Sequence, residues 1–306
     1  MENNRKIVGI GACVMDTLVT IAHYPKEDSK LRAISSKPAG GGPTATGLVA
    51  AQKLGETAAY IGVLSDDSSG AFLKQDFERY GVDTTGIRIQ QGYRSFASTI
   101  WLAKDTSSRT CVFDKGNLPP LKLTEDQRQM IEKAAILMID GNEIDAAEEA
   151  THLAKAHHVK VLYDCGGLYE GVERLLKNTD VIIPSEEFAL GHTGCDNVED
   201  AAVSLYERYH PEVVVITCGK DGGIRYDGKE CIRYPAFLVD AVDTNGSGDV
   251  FHGAFAAAMV KGFSYEKCCL FASATSAIKC TGIGARESVP NEETVHQFLR
   301  ARGIVL

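Results

Sequence analysis

The sequence lacks long apolar runs and paired-cysteine motifs. A membrane-spanning helix needs roughly 20 consecutive uncharged apolar residues, and no segment of the 306-residue sequence approaches that length. The opening MENNRKI contains no apolar signal core, so we expect no export and a cytoplasmic location. The nine cysteines are odd in number and form no CxxC, which favours reduced, mostly packed thiols over a disulfide framework or a zinc site.

Basic residues are outnumbered by acidic ones. The 32 Lys and Arg against 41 Asp and Glu give a net charge of −9. A chain this acidic is a poor general binder of nucleic acid, whose affinity depends on neutralised phosphates. We therefore expect no nucleic-acid or membrane partner, and any anionic ligand must be held by main-chain N–H groups, helix N-termini and a few placed cations.

Several nucleotide and catalytic motifs are also missing. No GxxxxGK[ST] occurs, which excludes a Walker-type phosphate loop, and HExxH, EF-hand and GxSxG patterns are absent. Gly9-Ile-Gly11 follows an apolar strand, but Val14 stands where a dinucleotide fingerprint needs its third glycine. The pattern argues against a nicotinamide enzyme.

Short apolar runs alternate with amphipathic stretches along the whole chain. This order predicts an α/β fold with a mostly parallel sheet. The predicted strands are Lys6–Ala12, Ala58–Leu64, Ala135–Asp140, Lys160–Asp164, Val181–Pro184 and Val213–Thr217. The predicted helices are Pro43–Leu54, Ser69–Tyr80, Asp145–His157, Val198–Tyr209, Ser247–Lys261, Tyr265–Thr281 and Asn291–Ala301.

Two segments, Val14–Pro38 and Gly92–Lys115, interrupt this alternation. Each predicts paired antiparallel strands, for example Ser95–Lys104 followed by Arg109–Phe113. Inserted hairpins of this kind can form a small lid sheet or plain surface decoration, and the sequence leaves both open. Their cationic surplus fits either a lid over an anionic substrate or a solvated basic face. The residues are Lys30, Arg32, Lys37, Arg94, Lys104, Arg109 and Lys115.

The most informative segment runs from Asp243 to Asp249 and leads into a predicted helix. Gly246 and Gly248 allow a tight turn and close approach to a ligand. An apolar stripe on the helix fixes its N-terminus against the core. We expect the N–H groups of Gly246, Ser247, Gly248 and Asp249 to be unpaired donors that stabilise negative charge, including charge on a transferring phosphoryl group. Taken alone, Asp249 fits an ordinary helix cap as well as a catalytic carboxylate.

Three more glycine-bearing turns follow strands or precede helices. They lie at residues 39–43, 217–223 and 284–290. Together with the first turn they predict a cleft at the carboxyl ends of the strands, where ligands bind in open α/β sheets.

These segments resemble the ribokinase-like (PfkB) family of carbohydrate kinases over essentially the whole chain. The resemblance rests on Gly40–Thr46 with the stretches that follow it, Ala50–Gly55 and Ile61–Gly70, and on Asp243–Asp249, which matches DTxGAGD except that Ser247 replaces alanine. The pattern is closest to bacterial sulfofructose kinase-like members, on Gly42-Pro43, Val250–Gly253 and Ile278–Thr281.

The resemblance implies a single domain over residues 1–306, with a three-layer αβα Rossmann-like body. It also implies a small β-sheet lid inserted at about 14–38 and 92–115 that mediates a homodimer, and transfer of the ATP γ-phosphoryl group to a sugar hydroxyl. Asp249 would be the base, and Gly246, Ser247 and Gly248 the anion hole. Substrate contacts would come from Asp16, Lys30, Gly41, Gly42, Thr46 and Asn142. The nucleotide would meet Ser185, Thr217, Gly219, Gly222, Ser273 and Gly284. Mg²⁺ would lie near Glu187, and a monovalent cation, K⁺, would be bound by oxygens of Asp243, Asn245, Gly284 and Ser288.

This sequence departs from the family pattern at the substrate and metal positions. Thr46 replaces a sugar-binding asparagine, and Ser185-Glu186-Glu187-Phe188 replaces Asn-x-x-Glu. Ser185 also fits a helix cap, and either glutamate could order Mg²⁺. The arginine expected in a sulfofructose kinase is missing around Asp140–Glu143, which argues against the sulfonated sugar.

The sequence leaves three functions in competition. The first is an ATP-dependent kinase for a monosaccharide or sugar phosphate, a ketose or sugar acid being favoured. The second is a nucleoside kinase, whose base would need an apolar pocket formed by Phe96, Ile100, Trp101 and Phe113. The third is a sugar-binding regulatory protein without catalysis, against which the retained Asp249 speaks. Lys30 and Asn142 fit substrate contacts or plain surface positions, and His252 fits a packed residue better than a catalyst.

Overall fold

A computed structural model describes residues 6–106 and 108–306. Thirteen strands and ten α-helices occur in this described part of the chain. The strands are β1 (Ile7–Ile10), β2 (Val14–Ile21), β3 (Ser35–Gly41), β4 (Ala58–Ser65), β5 (Ile87–Gln90), β6 (Ala97–Ala103), β7 (Ser108–Asp114), β8 (Ile136–Asp140), β9 (Lys160–Cys165), β10 (Val181–Pro184), β11 (Val213–Thr217), β12 (Gly223–Tyr226) and β13 (Cys231–Tyr234). The helices are α1 (Pro43–Lys53), α2 (Ser68–Arg79), α3 (Glu125–Glu132), α4 (Ile144–Ala156), α5 (Val172–Leu176), α6 (Glu186–Thr193), α7 (Val198–Tyr209), α8 (Ser247–Val260), α9 (Tyr265–Cys280) and α10 (Glu292–Arg300).

The large sheet contains nine strands in the order β13-β12-β11-β10-β9-β8-β1-β4-β5. All pairs from β11 to β5 are parallel, and only the β11–β12 and β12–β13 pairs are antiparallel. Every residue of β4 and β8 is buried, as expected for central strands covered on both faces. The predicted α/β fold is confirmed, and each predicted strand is present.

Helices cover both faces of this sheet and make a three-layer structure. Because successive side chains of a strand point to opposite faces, Met138 packs with α1, α8 and α9, whereas its neighbours Leu137 and Ile139 pack with α3, α4 and α5. Helices α6 and α7 extend the second layer over β11 and β12. No helix of the described chain is long and apolar enough to span a bilayer. All nine cysteines are free thiols, five of them buried.

A second sheet of four strands has the order β3-β2-β6-β7. It forms from the two segments that interrupt the α/β alternation. The β2–β3 and β6–β7 pairs are antiparallel, as the sequence predicts, and β2 joins β6 in parallel over Met15–Ile21. The predicted turn after Lys104 includes Ser107, which lies outside the described residues. Since β3 leads directly into α1 through Gly42, the small sheet is tied to the glycine-rich turn.

Candidate active site

Helix α8 begins at a glycine turn, at the end of the segment that connects it to β13. Gly246 has φ 72°, a left-handed conformation that glycine adopts without strain. A Cβ there would also lie 2.5 Å from the Cβ of Ala285. The turn therefore brings the start of α8 against the 284–290 loop, and a larger residue at position 246 would prevent this close contact.

Three main-chain amides at this turn are open to a ligand. The N–H groups of Gly246, Gly248 and Asp249 have no acceptor within the described chain. The Ser247 N–H, in contrast, donates to the Thr244 carbonyl at 3.2 Å. The prediction that Ser247 supplies an unpaired amide is therefore wrong. The turn of residues 244–247 uses the Ser247 donor internally, which leaves three of the four expected amides open.

Asp249 is partly exposed in the first turn of α8. Burial raises the pKa of its carboxyl above the usual range, and the Asp140 charge raises it further, whereas the charges of His252, Arg109 and Arg286 oppose the shift. Its charge also raises the pKa of Asp16, so the two carboxylates share one region. A carboxylate in this setting is a stronger base than a fully hydrated one.

Below Asp249, His252 is buried with both ring nitrogens facing carbonyl oxygens. Nδ1 lies 2.6 Å from the Gly248 carbonyl and Nε2 lies 3.0 Å from the Ile183 carbonyl. Only the doubly protonated imidazolium can donate to both. The buried Asp164 carboxyl lies 3.2 Å from Nδ1; burial raises its pKa to about 7, and the charge of His252 opposes this shift. His252 is thus a packed residue that ties α8 to β10, in line with the sequence interpretation.

On β2, Asp16 is buried against the glycine turn that precedes α1. Its Oδ1 accepts a hydrogen bond from the Ser98 hydroxyl at 2.5 Å, and a Cβ on Gly41 would collide with Oδ2. Glycine at position 41 is therefore required for this approach. Burial raises the pKa of Asp16 to about 6, and Ser98 and Arg286 limit the shift.

Arg286 is a fully buried cation that the sequence did not single out. Its Nη1 lies 2.7 Å from Asp76 Oδ2, and its Nη2 donates to the Gly41 carbonyl at 2.7 Å. Its Nε reaches the Thr46 hydroxyl at 3.4 Å. Thr46 has no exposed surface, so the predicted direct contact between Thr46 and the sugar does not fit this structure. The Thr46 hydroxyl contacts Arg286 instead, a residue 240 positions further along the chain.

A cavity of about 380 Å³ opens beside the small sheet and the end of β8. Asn142 lines it, while Lys30, an exposed residue before β3, does not. The cavity is lined by Gly11, Ala12, Cys13, Tyr60, Val63, Phe96, Lys115, Gly116, Leu118, Pro120, Leu121, Asn142, Glu143, Ile144 and Asp145. Of the four apolar residues that a nucleoside pocket would need, only Phe96 is present. Ile100 is buried in the small sheet instead, and Trp101 contacts Tyr24.

Asp140 is buried behind this cavity and holds two of its lining residues, Ala12 and Asn142. Its Oδ2 accepts from the Ala12 and Thr44 amides at 2.9 and 3.2 Å, and its Oδ1 accepts from the main-chain and side-chain amides of Asn142, both at 3.0 Å. One buried carboxylate thus joins the end of β1, the start of α1 and the 140–143 loop.

A second cavity, of about 350 Å³, lies at the start of α8, where Ser247, Gly248 and Phe251 line it. Thr217, Gly219, Gly222 and Ser273 all line it, as the resemblance implies for the nucleotide. Two other predicted nucleotide residues do not. Ser185 caps α6 through a bond from the Phe188 amide at 3.1 Å, and Gly284 binds Asp243 and Ser288. The remaining lining residues are Arg109, Lys220, Tyr234, Ala236, Phe237, Leu238, Val239, Ala241, Thr244, Ser247, Gly248, Phe251, Ser276, Ala277 and Cys280.

The predicted oxygen donors for a monovalent cation are engaged within the chain. Asp243 accepts from the Asn245 amide at 2.8 Å through Oδ1 and from the Gly284 amide at 2.9 Å through Oδ2. The Gly284 carbonyl accepts from the Ser288 hydroxyl at 2.6 Å. The Asp243 and Asn245 carbonyls both accept from the ammonium of Lys279. The donor set therefore does not fit an added K⁺ ion.

The chain belongs to the pfkB family of carbohydrate kinases, whose model matches residues 4–292. The family expected from the glycine turns is thereby confirmed, and with it a phosphotransferase that acts on an alcohol group. The sulfofructose kinase-like subgroup is not specifically supported and stays a prediction.

Similar proteins cover nearly the full length of the chain. A ribokinase from Haemophilus influenzae is 29% identical over 297 residues, which are 95% of this chain and 97% of the relative. A 5-dehydro-2-deoxygluconokinase from Clostridium perfringens is 26% identical over 321 residues, with 96% and 92% covered. The crystal structure of ribokinase from Thermotoga maritima superposes with a TM-score of 0.84 at 25% identity, covering 97% of this chain and 99% of that one.

Proposed function

We propose that the protein is an ATP-dependent kinase that transfers the γ-phosphoryl group to a hydroxyl of a monosaccharide or sugar phosphate. The observation that carries the proposal is the first turn of α8, where a carboxylate and open main-chain amides lie together at the head of one helix. In a loose phosphoryl-transfer transition state, positioning and charge stabilisation dominate over covalent chemistry.

In this proposal the sugar occupies the cavity lined by Asn142 and Lys115 and extends toward Asp16, which does not itself line the cavity. Asp249 accepts the proton of the reacting hydroxyl. The amides of Gly246, Gly248 and Asp249 stabilise the negative charge of the transferring group, at the positive end of the α8 dipole. Lys115, which lines the sugar cavity, is the cation that favours an anionic sugar such as a sugar acid or sugar phosphate.

ATP would occupy the cavity lined by Thr217, Gly219 and Gly222, with its phosphates directed at Gly248. The aromatic and apolar side chains Tyr234, Phe237 and Leu238 suit an adenine ring. Glu187, exposed in the first turn of α6 beside Glu186, offers an oxygen ligand for Mg²⁺, which commonly keeps several waters and takes one or two carboxylates. Mg²⁺ would neutralise charge on the phosphates when bound.

The small sheet supports the expected homodimer. All seven residues of β7 are exposed, and Val112 and Phe113 on it are 66% and 59% exposed. Strand β7 is also the edge of its sheet, and an exposed edge strand that carries apolar side chains is typical of a surface that pairs with another chain. Light scattering after size-exclusion chromatography would give a mass twice that of the chain if the proposal holds, and the single-chain mass if it fails.

A substrate panel tests the function directly. ADP release would be measured with neutral sugars, sugar acids, sugar phosphates and nucleosides, each with and without Mg²⁺. We expect turnover with a member of the sugar classes and none with nucleosides. Turnover with nucleosides alone, or none with any compound, would overturn the assignment.

A further inference from the structure

Lys279 is a lysine with no exposed surface, on the last turn of α9. Lysine side chains rarely lie fully inside a protein, because an ammonium loses its hydration there and needs fixed partners. Its Nζ donates to the Asp243 carbonyl at 2.8 Å and, in a shorter contact, to the Asn245 carbonyl. Both partners are main-chain oxygens, and both precede Gly246 by no more than three residues.

These two carbonyls belong to the set that the family resemblance implies for a monovalent cation. An ammonium carries the same single positive charge as K⁺ and prefers the same oxygen ligands. The other members of the set bind one another, through Gly284 N–H to Asp243 and Ser288 hydroxyl to Gly284. The described part of the chain also contains no cluster of three or more acidic, histidine or cysteine side chains that could hold a metal.

We propose that the Lys279 ammonium takes the place of the monovalent cation, so that this kinase works without K⁺. The ammonium ties residues 243 and 245 together immediately before the amides of Gly246 and Gly248. It thereby fixes the turn and adds positive potential behind the site where phosphoryl charge develops. Lys279 acts through this turn and is a positioning residue. The effect of Lys279 on catalysis rests on the proposed function, whereas its replacement of the cation does not.

Neighbouring groups partly offset the cost of burying this ammonium. Burial lowers the pKa of Lys279, and the charge of Arg109 from β7 lowers it too, whereas Asp243, Cys280 and Asp249 oppose the shift. The two main-chain carbonyls supply the fixed acceptors that the ammonium needs. Asp243 is itself buried, and its two carboxyl oxygens accept the main-chain N–H groups of Asn245 and Gly284. The ammonium and this carboxylate therefore balance each other inside the loop.

The first test compares the wild-type enzyme in chloride salts of K⁺, Na⁺ and tetramethylammonium at equal ionic strength. We expect kcat/KM to change by less than about twofold between salts. The midpoint of thermal unfolding should likewise be the same in K⁺ and Na⁺. Activation by K⁺ of tenfold or so, or a K⁺-specific rise in the midpoint, would overturn the proposal. The thermal measurement needs no turnover, so it stands even if no substrate in the panel is accepted.

The second test replaces Lys279 with methionine, which keeps the length of the side chain and removes the charge. Lys279→Met should lose activity in Na⁺ and regain part of it in K⁺, and its thermal midpoint should rise specifically with K⁺. Lys267→Met, an exposed position on the same helix, is the matched control and should behave as wild type in every salt. A folded Lys279→Met enzyme that keeps full activity in Na⁺, or that gains no response to K⁺, contradicts the replacement. If this variant does not fold, the comparison of salts on the wild-type enzyme still tests whether K⁺ is needed.

Discussion

Replacing Asp16 with asparagine should stabilise the protein while impairing its activity. Burial raises the pKa of Asp16 from its ordinary 3.8 to about 6. A shift of about 2 units corresponds to about 3 kcal/mol, since each unit is 1.36 kcal/mol. The folded state holds its proton more tightly than the unfolded state. The free energy of unfolding therefore falls as the pH rises from about 4 to about 6. Above pH 6 it stays lower than at pH 4 by the whole contribution of Asp16.

An asparagine at this position carries no charge and can still accept the bond from the Ser98 hydroxyl. Asp16→Asn should therefore raise the free energy of unfolding by up to about 3 kcal/mol at pH 8, with little difference near pH 4. Urea unfolding at both pH values measures this, with Asp196→Asn, an exposed aspartate, as control. The KM for the sugar should rise, because the proposed hydroxyl acceptor is lost. A variant no more stable than wild type at pH 8 would refute the reasoning from burial.

Two further substitutions probe the surroundings of the site. His252→Gln removes the positive charge that lowers the pKa of Asp249, so the acid limb of the kcat/KM profile should move to higher pH, and an unmoved limb would contradict the imidazolium assignment. Arg286→Met leaves the buried Asp76 with Arg79, at 2.7 Å, as its ion-pair partner, and it removes the hydrogen bond to the Gly41 carbonyl. It should lower the free energy of unfolding by about 1.5 to 3 kcal/mol, the range for a hydrogen bond to a charged group. Urea unfolding checks this, and an unchanged free energy of unfolding would show that Arg79 alone compensates the Asp76 charge.

Local sequence signals predicted most of the framework. Helix α7 matches its predicted bounds because Asn197 caps it and four apolar residues, Val198, Ala201, Ala202 and Leu205, are spaced for one buried face. Helix α3 was missed although Thr124 and Gln127 form a capping box at its start. Only Gln127 and Ile131 are buried on it, so its apolar pattern is too weak to detect.

The turn at the head of α8 was predictable because its glycines and Asp249 lie within seven consecutive residues. The residues that hold this turn in place could not be predicted from the sequence. Arg286 meets Gly41 across 245 positions of sequence, and Lys279 meets Asp243 across 36. Such contacts depend on the tertiary arrangement, and in the sequence both residues look like ordinary surface cations. Asp140 is a similar case, since its four hydrogen bonds join three separate segments.

The central claim is that Asp249 accepts the proton of the reacting hydroxyl at the head of α8. Asp249→Asn should keep the fold and the affinity for ATP, and it should lower sugar-dependent ADP release by roughly 10² to 10⁴-fold. Thermal unfolding and ATP titration establish the first two points, and Asp196→Asn serves as the control with wild-type turnover. A purified, folded Asp249→Asn enzyme that still turns over sugar at the wild-type rate would contradict the account.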